Sequence, residues 1–247
     1  MPARRLALAS LLASSILPAL PVAAQETQLF ILATATRLHP ELPYYGFEEL
    51  RETILALRPD VLVLEVRPDE LEERKETPGR PEYPAVAFPL LEEKRYGSYP
   101  MEPGEPEFGR MVSSFGGIIE SFRENQPEAA AALDAYKAAF VSALRACWRS
   151  PADLNSPLTD RLVKAKHELE GAIMGPARAE SWAIWNDFMV DAVRNAVAGN
   201  PGKRIVALVG YDNAYWMRWR LKDFPDARVV DMHTELGGAT TTASCGT

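Results

Sequence analysis

The amino-acid sequence predicts an α/β protein: a central, largely parallel sheet flanked by helices, with a helical insertion between an N-terminal and a C-terminal α/β part. Three observations predict it. Val61-Leu62-Val63-Leu64 is a continuous β-branched and leucine run, as expected of a strand buried on both faces in a parallel sheet. Similar runs stand near both ends, at Leu29–Leu32 and Ile205–Val209, each followed by a stretch with helical spacing. Between about 107 and 200 the apolar residues recur at helical spacing throughout.

The elements follow in order. Leu29–Leu32 reads as a buried strand, and a Pro-rich loop through Pro40 and Pro43 follows it. Phe47, Leu50, Ile54 and Leu57 predict a helix over about 46–57, ended by Arg58-Pro59-Asp60 because proline disfavours helical geometry in the residue before it. With the strand 61–64 this makes a βαβ unit. Prolines and glutamates dominate 68–106, a long excursion over the strand ends with a short helix near 85–94 and a strand near 96–100. Four apolar stripes predict the insertion: Phe108 to Phe122; Leu133, Tyr136, Phe140, Leu144 and Cys147; Leu158, Leu162, Leu169 and Ile173; and Trp182 to Val193. The α/β pattern then resumes with a strand at Ile205–Val209, a helix over about 212–222 and a final strand at Arg228–Val230.

The first 24 residues read as an address. Arg4 and Arg5 precede an apolar run from Leu6 to Val22, and Val22-Ala23-Ala24 suits signal-peptide cleavage. The expectation is an exported chain, periplasmic or secreted, with one α/β domain over 25–238 and a disordered Thr/Ser/Gly tail over 239–247. No later segment is apolar enough to span a bilayer. Residues 1–24 carry two bases and no acid, so their removal takes the net charge from −7 to −9. An acidic surface argues against nucleic acid and against an anionic membrane as partners, and the partner expected is a small molecule or peptide. Cys147 and Cys245 allow a disulfide in an oxidising compartment, and Cys147 fits equally well as a buried free thiol. No Cys/His zinc spacing, nucleophile elbow or phosphate-binding loop is present.

The chemistry-bearing candidates sit at strand ends, where α/β proteins place their ligands. Glu65 directly follows a buried strand, and Arg67 lies two residues on; they read as a loop-closing pair or as a carboxylate at the mouth of the sheet. His39 follows the first strand and His233 the last; each reads first as a solvated loop histidine and otherwise as one within reach of a strand-end cleft. Asp212 opens the helix that carries Asn213, where it would serve as an N-cap. His167 reads as a surface residue, and the acids Asp69, Glu70, Glu72 and Glu73 with Arg74 and Lys75 read as a solvated face.

The order of parts resembles the superfamily that joins the Tiki/TraB proteins, the ChaN-like haem-binding lipoproteins and the erythromycin esterases. Its pattern has a strand ending in Gly-x-x-His, a helix, a Lys/Arg-Pro-Asp turn and a strand ending in Glu with Arg-Pro after it. A helical region follows, then a strand ending in a second Gly-x-x-His. The corresponding residues here are Ala33-Thr34-Ala35-Thr36, Arg58-Pro59-Asp60, Glu65-Val66-Arg67-Pro68 and Gly210-Tyr211-Asp212-Asn213, with Tyr99-Pro100-Met101-Glu102 as the match to an acid-bearing middle strand. Thr36 and Asn213 stand where the family has its imidazoles. Neither titrates near neutral pH, and both are poor substitutes for imidazole toward zinc or a similar ion.

The resemblance therefore implies an exported, catalytically degenerate relative of a hydrolase. It would keep a strand-end cleft (Thr36, Arg67, Glu102, Asp212, Asn213) for ligand binding or regulation. No cofactor is expected, and a divalent metal is disfavoured. The alternative is a hydrolase, metal-assisted or glutamate-based, in which Glu65 works with His39, His233 or Asp212. A third reading is a haem or small-ligand carrier.

Overall fold

The computed structural model describes residues 25–75 and 79–238. The expected signal peptide, the tail and Cys245 lie outside the described residues. Cys147 is partly buried and is not a free thiol.

Five strands form one all-parallel sheet in the order β3-β2-β4-β1-β5: β1 (Gln28–Thr34), β2 (Val61–Leu64), β3 (Gly97–Pro100), β4 (Arg204–Gly210) and β5 (Arg228–Val230). β4 lies between β1 and β2, so the C-terminal part of the chain is threaded into the middle of the N-terminal part. Its register sets Thr34 opposite Gly210 and Leu64 opposite Leu208. All four residues of β2, and all but the first of β1 and β4, are buried. Helices cover both faces, as a parallel sheet requires.

Local chemistry fixes the elements. The Glu49 carboxylate accepts from the Gly46 N–H (2.9 Å) and so caps α1 (Phe47–Leu57). Arg58 ends that helix in a left-handed conformation (φ 48°), and the Asp60 carboxylate of the same turn accepts from the Arg204 N–H (2.8 Å), tying the start of β2 to β4. Pro68 opens the short helix α2 (Pro68–Glu73), where its missing N–H costs nothing. β5 pairs only as far as Phe30, which leaves the end of β1 without a neighbour strand on the side away from β4. The Asn155 amide fills that gap: it accepts from Ala33 N–H (2.8 Å) and donates to Ala33 C=O (3.3 Å), while Arg218 donates to Ile31 C=O (2.9 Å). The ladder groups of this exposed edge are thereby paired.

The Pro-rich excursion contains a π-turn (Tyr83–Ala87), α3 (Phe88–Lys94) and the edge strand β3, whose last residue Pro100 is tolerated at an edge. The stretch from Glu107 to Ala198 holds α4 (Glu107–Asn125), α5 (Pro127–Cys147), α6 (Pro151–Leu154), α7 (Pro157–Met174) and α8 (Pro176–Ala198). After β4 comes α9 (Tyr211–Leu221), and α10 (Met232–Glu235) follows β5.

Two of the expected stripes behave differently in space. On α7, Leu162, Leu169 and Ile173 face outward, and the buried face is Thr159, Val163, Lys166, His167 and Glu170. On α4 only Phe122 is buried, and Met111 and Phe115 line an open cleft. His167, expected at the surface, is 6% exposed, because its edge and face are engaged by Glu170, Asp212 and Trp182. Glu70, expected on a solvated face, is buried against Arg67.

Candidate functional site

The strand ends of β1, β2 and β4 meet around Glu65. β2 stops at Leu64, and the next residue carries its carboxylate into the space beside Gly210. There Glu65 Oε2 accepts from the Gly210 N–H (2.7 Å) and Oε1 accepts from Asn213 Nδ2 (2.7 Å). The packing at Gly210 is tight: a Cβ there would stand 3.0 Å from the Thr36 methyl and 3.4 Å from Glu65 Oε2. Thr36, Glu65 and Asn213 thus converge from three distant parts of the chain. Thr36 does so with its backbone in the left-handed region (φ 51°), a conformation that a β-branched residue rarely adopts.

The partner of Glu65 is Arg80, from the Pro-rich excursion, and not Arg67. Arg80 Nη2 binds Glu65 Oε1 (2.5 Å) and Nη1 binds Glu102 Oε1 (2.9 Å), so one guanidinium joins two carboxylates that are almost fully buried. Burial opposes the charge on Arg80, but Glu65 and Glu102 outweigh it and hold the guanidinium above its ordinary value. Burial pushes the Glu102 carboxyl up to about 7 against the pull of Arg80. A third acid, Glu82, lies next to this cluster; Thr34 Oγ1 donates to it (2.7 Å), and burial pushes it up to about 7 as well. Tyr83 ties the assembly to the sheet, accepting from Glu65 N–H (3.1 Å) and donating to Leu208 C=O (3.1 Å).

The other sequence candidates are placed elsewhere. Arg67 binds Asp69, Glu70 and Glu105 and lies over the Phe108 ring. His39 is buried, with Nε2 accepting from Ala35 N–H (3.0 Å) and Nδ1 donating to Tyr45 C=O (2.6 Å). Burial lowers its pKa to about 4, so the ring is neutral and both nitrogens serve the backbone. His233 engages the Ala152 carbonyl (2.9 Å). Among the described residues, no histidine contacts Glu65.

Asp212 belongs to a second group, on the inward face of α7. Lys166 Nζ binds both of its oxygens (2.9 Å each), and His167 Nε2 approaches at 3.5 Å. Burial works against the Asp212 charge, but His167 and Lys166 outweigh it and hold the carboxyl well below its usual range. His167 Nδ1 lies 3.3 Å from Glu170, which also binds Arg178 (2.6 Å), and the imidazole stacks on Trp182 with ring centres 3.9 Å apart.

Arg80, Asp212 and Asn213 line a cleft of about 490 Å³. The rest of its lining comes from α4 and α8: apolar Met111, Val112, Phe115, Trp182, Ile184 and Trp185, with Glu107, Arg110, Ser114 and Ser181 among them. A smaller hollow of about 240 Å³ continues past Phe115, Trp182 and Asp212 beneath the α4–α5 hairpin.

A divalent ion does not fit the arrangement at Glu65. The Arg80 guanidinium and two N–H donors already take the carboxylate, and Thr36 and Asn213 add no imidazole. Among the described residues, no group of three or more His, Cys, Asp or Glu side chains is placed to hold a metal. No helix there is long and apolar enough to cross a membrane.

Two functional features escaped the sequence reading. Arg80 sits in a Gly-Arg-Pro turn without periodicity, and its only signal was the need of a strand-end acid for a cation. The inward charged face of α7 was hidden by a stronger apolar stripe on the opposite side. Comparison with known protein families, curated proteins and solved structures finds no match to this chain.

Proposed function

We propose that this chain is an exported binding protein, a catalytically degenerate relative of the superfamily it resembles, and that it holds a small amphipathic ligand in the cleft beside Glu65. The observation that carries this reading is the engagement of the Glu65 carboxylate by three donors, two of them in the cleft wall. It accepts from Arg80, Gly210 and Asn213, which take three of its roughly four acceptor positions, and none of these donors titrates near neutral pH to exchange a proton with it. Glu65 is then an anchor that holds Arg80 and Asn213 in the cleft wall. The cleft outside it is of ligand size, largely apolar, with a few convergent polar groups. The apolar face of α4, left partly exposed, serves as a ligand wall.

The test is binding of the uncharged dye Nile red to the purified protein. Saturable binding at one site, lost in Ile184→Arg, supports the reading. Binding that Ile184→Arg leaves unchanged contradicts it.

One observation favours a second reading. Asp212 and His167 stand together in the wall of the smaller hollow, an acid–imidazole pair of the kind used in proton transfer. A hydrolase of this design would cleave p-nitrophenyl acetate and lose that activity in His167→Asn.

A further inference from the structure

The smaller hollow beneath the α4–α5 hairpin carries an inference that goes beyond the binding reading above and does not depend on it. Arg178 lines this hollow and is only 4% exposed. Its guanidinium lies over the Phe115 ring (4.7 Å to the ring centre) and the Trp182 ring (5.1 Å). One terminal nitrogen, Nη2, is taken by Glu170 (2.6 Å). Arginine has five N–H donors, and among the described residues Nε and Nη1 make no hydrogen bond. Neither atom is sealed off, in contrast to the unpaired Nε atoms of Arg67 and Arg218. A buried cation thus presents unmet donors to the open space of the hollow.

The field inside the hollow has the matching sign. Burial disfavours the Arg178 charge and holds its pKa below the ordinary value, and Glu170 offsets this only in part. Burial also works against the Glu170 charge, but His167, Lys166 and Arg178 outweigh it and pull that carboxyl down to about 2. A place that resists a cation and favours a carboxylate is short of negative charge. At the rim, Arg123 (3.1 Å) and Lys137 (3.8 Å) share the one carboxylate of Asp134. With Lys166 and Arg178 against Glu170 and Asp212, four bases face three acids around the hollow, in a chain whose net charge is −7. The rest of the wall is mostly apolar: Phe122 and Leu133 belong to a small cluster apart from the main core, and Met174 packs on it. We propose that the hollow is a second binding site, for a small monocarboxylate whose charged end accepts from Arg178 and whose apolar body lies against Phe122, Leu133 and Met174. A single excess charge and hydrocarbon walls suit a monoanion with an apolar body better than an inorganic dianion. The volume of about 240 Å³ limits that body to about the size of one aromatic ring.

The experiment titrates the whole protein by calorimetry with sodium benzoate, benzyl alcohol, benzylamine and sodium sulfate at pH 7.5 and low salt. The expected result is saturable binding of benzoate at one site, with the other three at least tenfold weaker. Arg178→Lys keeps a cation for Glu170 and removes the spare guanidinium N–H groups; benzoate affinity should fall about tenfold. Ile184→Arg alters the larger cleft and not the hollow, so it should leave benzoate affinity within about twofold. No benzoate binding, or the alcohol or the amine binding as tightly, overturns the proposal and leaves the reading of the larger cleft to its own dye test. Sulfate binding as tightly as benzoate overturns the ligand class. Loss of benzoate binding in Ile184→Arg puts the anion in the larger cleft and overturns the hollow as its site. The ranking in the unaltered protein and the Ile184→Arg result decide the question even if Arg178→Lys does not fold.

Discussion

Replacing Arg80 by Met tests whether the Glu65 cluster is a structural anchor. The substitution keeps much of the aliphatic stem and removes the guanidinium. Glu65 retains two donors, Gly210 N–H and Asn213 Nδ2, each at 2.7 Å. Glu102 loses its 2.9 Å ion pair while remaining almost fully buried. Breaking a buried pair from one side costs about 3–5 kcal/mol, mainly because the remaining charge is left uncompensated. That cost should depend on pH, because Glu102 can escape it by taking a proton. Its folded-state pKa is already raised to about 7 and rises further without Arg80. A raised carboxyl pKa contributes stability at low pH that is lost as pH rises from the unfolded value near 4.5 through the folded one. The deficit relative to the unaltered protein is therefore full at pH 8.5 and shrinks to about 1–2 kcal/mol at pH 5. Urea unfolding followed by tryptophan fluorescence at the two pH values measures it. A loss below about 1 kcal/mol at pH 8.5, or equal losses at both pH values, refutes the reasoning.

Three further outcomes are expected. Glu82→Gln keeps an acceptor for Thr34 and removes an acid that burial pushes to about 7; it should flatten the fall in stability between pH 4.5 and 7 and gain up to about 3 kcal/mol above pH 8, read by unfolding across pH. Gly210→Ala puts a Cβ 3.0 Å from the Thr36 methyl and should cost about 1–3 kcal/mol, with loss of ligand binding, read by denaturation and dye titration. Gly116→Ala, in the exposed middle of α4 with open space around the position, should raise stability by about 0.5–1 kcal/mol and leave the fold unchanged by circular dichroism.

Much of the sheet was legible because burial on both faces leaves an unmistakable apolar run. β2 and β5 have the expected bounds, and β1 and β4 extend the expected runs by a residue or more at their ends. The convergence of Thr36, Glu65 and Asn213 was legible too, since α/β topology brings strand ends together. The partners were not. Arg80 reaches Glu65 from a segment whose path no local propensity fixes, and β3 lies beside β2 only through that same excursion. Asn155, which completes the β1 ladder, has no sequence signal at all. On α7 the periodicity was real but its sense was inverted: the polar face turns inward because Asp212 on α9 and Arg178 on α8 compensate its charges there. Hydrophobic pattern identifies a helix, and long-range charge pairing decided which side of this one faces the core.

The central claim is that the Glu65 carboxylate holds the cleft wall and does not bind a metal. Calorimetric titration of the purified protein with Zn²⁺ and Mn²⁺, alongside Glu65→Gln, tests it most directly. The account predicts no stoichiometric binding that depends on Glu65. A tight 1:1 complex with either ion, abolished by Glu65→Gln in a variant that still folds, contradicts it.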